Sequence, residues 1–181
     1  MFSWWHLRLL TRRMRSFGQV SFRVSAAGPA GGLVTFSRLP VSGTAYRGFG
    51  MPPAAAGVSR AARWRAALKG ALVTRVARPG LWVVNTHPVA NRDGDWSPDS
   101  RFYPLHRAQL DVLAQVVRGA GGPGVVCGDE TPHCIDFILT AGGVKAEAAT
   151  VLFTGKEPLG DGPGYVSDHL GLQASLFLPL G

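Results

Sequence analysis

Not one aspartate or glutamate occurs in the first 91 of the 181 residues, although that stretch carries 13 lysines and arginines. The rest of the chain holds 6 basic and all 11 acidic side chains, for a net charge of +8. A half-chain of that sign attracts polyanions such as nucleic acid or an anionic membrane surface. High-GC codon usage also loads a chain with Arg, Ala and Gly, so charge alone names no partner. Cysteine is scarce too. Cys127 and Cys134 cannot build a disulfide framework, and with His133 and His169 their spacing fits no common zinc pattern. No stretch approaches the ~20 consecutive apolar residues that span a bilayer, and the N-terminus lacks the apolar core and cleavage site of a secretory signal. A soluble, cytoplasmic protein is the default expectation.

What is present suits one globular domain over residues 1–181, 46% hydrophobic and rich in the glycine and proline of a many-turned sheet protein. The start is Arg-rich, and Trp4, Leu7, Leu10 and Met14 share one helical face, predicting a basic amphipathic helix over residues 1–16 that packs on the domain. Strands are expected at 19–25, 33–37, 70–76, 81–86, 124–129, 134–139, 146–153 and 172–178. Residues 40–57 and the glycine-rich 160–164 read as loops. Pro79-Gly80 joins the third and fourth of these strands in a hairpin. A helix is expected over 104–118 with Leu105, Leu110, Leu113 and Val117 inward, stopped by the glycines after it. Many strands with two or three helices indicate sheets at the centre and helices outside.

Several strand ends carry groups suited to a phosphate and a metal. Asn85-Thr86-His87 closes one strand, Asp129 closes another, Asp136 sits inside a third, and Asp168-His169 precedes the last. Hard divalent cations take oxygen ligands, and hydrolysis needs a base to activate water. Singly, each of these residues is an ordinary loop or core polar group. Their order along the chain is the informative feature.

Gly32-Leu-Val-Thr-Phe-Ser-Arg-Leu-Pro-Val41, Val83-Val-Asn-Thr-His87, Val125-Val-Cys-Gly-Asp129, Ile135-Asp-Phe-Ile-Leu139 and Ser167-Asp-His169 follow one another in sequence. Together they resemble the motif series of the endonuclease/exonuclease/phosphatase superfamily, whose neutral sphingomyelinase-like and bacterial endonuclease-like branches share this grammar. Arg107-Ala-Gln109 resembles its Arg-x-x-Gln helix with a shortened gap, and Lys69-Gly70 leans toward the sphingomyelinase-like branch. The resemblance implies an α/β, deoxyribonuclease-I-like four-layer sandwich acting as a monomeric, Mg²⁺- or Mn²⁺-dependent phosphodiesterase on nucleic acid or a sphingolipid-like phosphoester. Carried over, His169 would be the general base, with Asp168 at the metal or imidazole. His87 and Asn85 would contact the phosphate, Asp129 would orient the water, and Asp136 would fix an imidazole tautomer. Ser37 and Arg38 would stand just behind these contacts.

Two departures qualify the match. The family's metal-binding Glu of a Q-E motif has no counterpart, because nothing before Asp93 is acidic; the chain begins downstream of where that motif would fall. Only six residues separate Asp129 from Asp136, and the Phe-Asn of G-D-F-N is absent, as if an internal segment were deleted. The expectation is an incomplete sandwich with weak or lost activity. The alternative is a non-catalytic module that holds nucleic acid or an anionic membrane through residues 1–91.

Overall fold

The computed structural model describes residues 3–90, 93–95, 97–128, 136–159, 162–164 and 171–179. Helix α1 (Trp4–Arg13) begins at Ser3, whose N–H donates to His6 Nδ1 at 3.3 Å, and ends on Arg12 and Arg13, the charge its carboxyl terminus favours. Of its apolar face Leu7 is buried, and Trp4 meets the edge of Phe22. Strands β1 (Gln19–Ser21) and β2 (Thr35–Ser37) pair antiparallel.

Five strands then form the central sheet, which accommodates α2 (Arg60–Ala67) and α3 (Tyr103–Ala120) in its connections. They are β3 (Val41–Gly48), β4 (Gly70–Val76), β5 (Leu81–Thr86), β6 (Gly124–Gly128) and β7 (Phe137–Ala141), and they neighbour one another in that order. Only the β5–β6 pair is parallel, and α3 is its crossover. The β4–β5 hairpin forms as expected, with Gly80 at positive φ just before β5. β6 and β7 are antiparallel neighbours, the arrangement that a short connection allows.

Alternation sorts the sheet into two faces. Ala71, Trp82, Val84 and Val126 point to one side and form a core with Leu113 of α3. Trp82 lies flat on Gly124, its partner on β6, where any Cβ would fall inside the indole ring, and its Nε1 donates to Gly121 O at 2.8 Å. On α3, Leu105 and Leu113 are buried, worth ~1.5–3 kcal/mol each. That outweighs the exposed Arg107–Asp111 pair on the same helix, worth a few tenths. Leu110, expected inward, is exposed; its place toward the core goes to Gln109, one position nearer the centre of the buried stripe.

The opposite face of the sheet meets β1 and β2 through Thr44 Oγ1–Ser21 Oγ at 3.1 Å and Asn85 Nδ2–Val34 O at 3.0 Å. Beyond β7, β8 (Lys145–Leu152) pairs antiparallel with β11 (Gly171–Phe177), and β11 abuts β7. The small hairpin β9 (Glu157–Leu159) with β10 (Gly162–Gly164) lies between them in sequence.

Several expectations need correction. Residues 40–57 are not all loop, since β3 occupies the sheet edge there, and the glycine-rich 160–164 stretch contributes β10. The strand expected over 19–25 stops at Ser21, leaving one bridge from Val24 to Pro29. β7 starts after Asp136, not before it. Among the described residues no helix is long and apolar enough to cross a membrane.

Candidate functional site

The β4–β5–β6 arrangement aims chemistry at one place. In a sheet with a parallel pair, ligands tend to bind beyond the carboxyl ends of the strands. β5 and β6 end level with one another, Asn85 opposite Cys127 and Thr86 opposite Gly128. β7 runs the other way, so Asp136, just ahead of it, lies at the same end. Alternation puts Asn85, Cys127 and Ile138 on the face turned away from α3.

A cleft of about 450 Å³ opens there, lined by Asn85, His87, Cys127 and Asp136 and walled by Leu10, Leu33 and Leu172. It lies where the five-stranded sheet approaches α1, the segment before β2, and β11. Asn85 anchors this junction through its bond to Val34 O. Burial pushes the Cys127 thiol up, so at neutral pH it is a protonated, weakly nucleophilic group.

Beside His87 stands a residue that sequence reading used only as a sign of branch. Lys69 Nζ lies 2.8 Å from His87 Nε2. An ammonium can only donate, so in this contact Nε2 accepts and Nδ1 carries the ring hydrogen. Hairpin register brings the two near each other: continuing Ala71 opposite Thr86 puts His87 opposite Gly70, the residue after Lys69. Thr86 Oγ1 donates to Gly70 O at 3.0 Å and locks that end of the hairpin.

Gln109 was noted in sequence only as a motif remnant, and it proves to hold the exit of β5. Its Oε1 accepts from Val89 N at 2.8 Å and its Nε2 donates to Ala66 O at 3.2 Å, tying α3 to α2 and to the chain just past His87. At 2% exposed it does this inside the protein.

Of the residues picked out by sequence, Asn85, His87 and Asp136 share the cleft. Ser37 and Arg38 do not line it. Ser37 Oγ turns to Leu39 in a local loop, and Arg38 lies over the Phe17 ring at 4.6 Å. Asp129, Asp168 and His169 lie outside the described residues, as do Cys134 and His133. Among the described residues no three His, Cys, Asp or Glu side chains gather as a metal site would require. Asp136 is the one described carboxylate of the cleft, and these donors do not by themselves fit a hard dication.

The fold is α/β and resembles the deoxyribonuclease-I-like one, with a central mixed sheet and, among the described residues, three α-helices. Its backbone is similar to the crystal structure of a D. rerio TDP2 humanized by 14 mutations, with a TM-score of 0.64 over 95% of this chain and 80% of that one. At 14% identity the likeness is one of fold. No protein-family model matches the chain, and neither does any curated protein.

Proposed function

We propose that this chain is a phosphodiesterase of the endonuclease/exonuclease/phosphatase type, with a phosphate bound where β5 ends and turnover that is slow for its class. The observation that carries this reading is the Lys69–His87 contact of 2.8 Å, with His87 itself in the wall of the cleft that holds Asn85 and Asp136. The imidazole and amide of the cleft, with an ammonium in contact with that imidazole, offer donors to a tetrahedral anion. Phosphoryl transfer depends chiefly on such positioning and on electrostatic stabilisation of the oxygens.

In this reading His87 and Lys69 hold the non-bridging oxygens, and Asn85 fixes the edge of the site through its tie to Val34. By the resemblance, Asp129 orients the attacking water, His169 accepts its proton, and Asp168 stands at the cation. Mg²⁺ or Mn²⁺, when bound, would neutralise developing charge on the phosphate. The slow rate follows from the sequence: with the Asn of G-D-F-N absent between Asp129 and Asp136, the phosphate or the nucleophile loses a partner.

Hydrolysis of bis-p-nitrophenyl phosphate with Mg²⁺ and with excess EDTA tests the reading. EDTA-sensitive turnover that falls at least tenfold in His87→Ala is the expected result. Turnover indifferent to His87→Ala and to His169→Ala would overturn it. A second reading, a non-catalytic module for polyanions, is favoured by the 13 cations and no acid of residues 1–91. Binding that weakens steeply with salt and forms no product would select that reading.

A further inference from the structure

A second cavity of about 860 Å³ adjoins the cleft, sharing Gly32 and His87 with it. Its walls are mainly small and aliphatic: Ala26, Ala27, Pro29 and Ala30 from the loop before β2, and Ala67 and Leu68 from the end of α2. Arg65, Lys69 and His87 also line it, and among its described lining residues none is acidic. Tyr46 adds a second ring beside His87, its hydroxyl directed at Leu68 O at 3.4 Å. An aliphatic chamber ending on the Lys69 ammonium and the His87 imidazole fits an alkyl or acyl chain with a phosphate at its head.

The outer side of α2 bears on how such a molecule would arrive. Ser59 caps this helix, its Oγ accepting from Ala62 N at 3.2 Å, and Arg63 is tied down by donating to Pro52 O at 2.9 Å. Ala66 faces the core with no exposure, which turns Arg60, Trp64 and Leu68 to the outside at i, i+4 and i+8. Trp64 is 63% exposed and Leu68 is 60% exposed. Exposed Arg60 and Arg65 accompany them, and Leu68 is also part of the cavity wall. A short helix showing Trp and Leu to solvent, flanked by arginines, has the composition of a segment that rests in a membrane interface. Charge complementarity picks the surface, because nothing in residues 1–91 would repel an anionic headgroup.

We propose that α2 docks this protein on an anionic lipid bilayer, and that the cavity behind Leu68 takes the aliphatic chain of a phosphoester whose phosphate reaches Lys69 and His87. This rests on the phosphoester reading above and names its substrate class.

Flotation of the full chain with vesicles of phosphatidylcholine alone, and of phosphatidylcholine mixed with phosphatidylserine, tests the docking. The wild type should float with the mixed vesicles only. Trp64→Ser/Leu68→Ser should lose at least tenfold in binding while keeping its far-ultraviolet circular dichroism, because both side chains are at the surface. Calorimetric titration with monomeric ethyl, butyl, hexyl and octyl phosphate tests the cavity. Affinity should climb by about fourfold per buried methylene. Wild-type protein that ignores the mixed vesicles, a double variant that floats as well as wild type, or a flat alkyl series would each overturn the proposal. So would tight binding of a single-stranded oligonucleotide with no flotation, which would assign the basic face to nucleic acid. His87→Ala separates this proposal from the phosphodiesterase reading: it should abolish turnover of the soluble diester and leave flotation unchanged.

Discussion

Replacing Gln109 by leucine should unsettle the protein more than any change on the outer face of α3. The side chain is almost wholly buried and serves two backbone groups from separate elements, Val89 N–H and Ala66 C=O. Leucine fills much of the same space and removes both partners at once. Each orphaned buried group costs ~1–3 kcal/mol, so the pair costs ~2–6 kcal/mol against a typical domain stability of ~5–15. For a domain of this size that is a fall in Tm of roughly 5–20 °C. Thermal melts by circular dichroism read it directly, with Gln115→Leu, exposed on the same helix, as the control expected within ~0.5 kcal/mol of wild type. Because Val89 follows His87 by two residues, the variant should also lose phosphodiesterase turnover at temperatures where it remains folded. A Gln109→Leu protein melting within about a degree of wild type would show that water or a rearranged loop satisfies both groups, and the reasoning would fail.

Gly70→Ala should destabilise by ~1–3 kcal/mol, since its Cβ would come 2.6 Å from Arg47 O on the paired strand, a backbone atom with little freedom to retreat; an unchanged urea midpoint would contradict this. Asp93 is held below its usual carboxylate range, first by the hydrogen bonds from Arg101, which also donates to Gly57 O. A lowered folded value means the bridge contributes above the ordinary carboxylate pKa of about 4 and is lost as pH falls through the folded value. Asp93→Asn should therefore show its Tm deficit at neutral pH, and the deficit should begin to shrink below about pH 4 and vanish only below the lowered folded value; a deficit that grows in acid would refute the assignment. Cys127 should react with iodoacetamide far more slowly than a free thiol at neutral pH and gain rate on unfolding, because burial raises its pKa. Equal rates in native and unfolded protein would sink that.

The sequence showed the strands that are strongly apolar and the helix with a long periodic face, and it missed elements whose stability comes from neighbours. β3 reads as loop because Gly43 and Gly48 interrupt it and its alternation is faint. It becomes a strand by pairing with β4 along an edge, with a register shift at Gly43 where a side chain would gain nothing. β9 and β10 are three residues each and carry no periodicity to read. Local pattern also misplaced Leu110, because a 3.6-residue stripe tolerates a polar residue at its centre when that residue has two buried backbone partners. Motif order brought Asn85, His87 and Asp136 to one cleft. It could not bring Lys69, whose role depends on hairpin register, or exclude Ser37 and Arg38, which turn to local partners.

The uneven charge of the chain acquires a meaning once the sheet order is known. β3, β4 and β5 come from the acid-free half, whereas β6 and β7 come from the half that holds every carboxylate. The two halves meet at the parallel β5–β6 pair, and the cleft sits at the end of that seam. His87, with Lys69 in contact with it, therefore approaches the cleft from one side and Asp136 from the other. In the phosphodiesterase reading proposed above, the basic wall would hold a phosphate and the carboxylate-bearing wall would orient a water. Had the acids been spread evenly, ion pairing within the first half would have quenched the wall that meets an anion. Instead two acids of the second half pair with cations of that same half, Asp93 with Arg101 and Asp111 with Arg107. The cationic half is thus left turned outward along α2 and inward along the cavity, two surfaces that one anionic amphiphile could touch in succession.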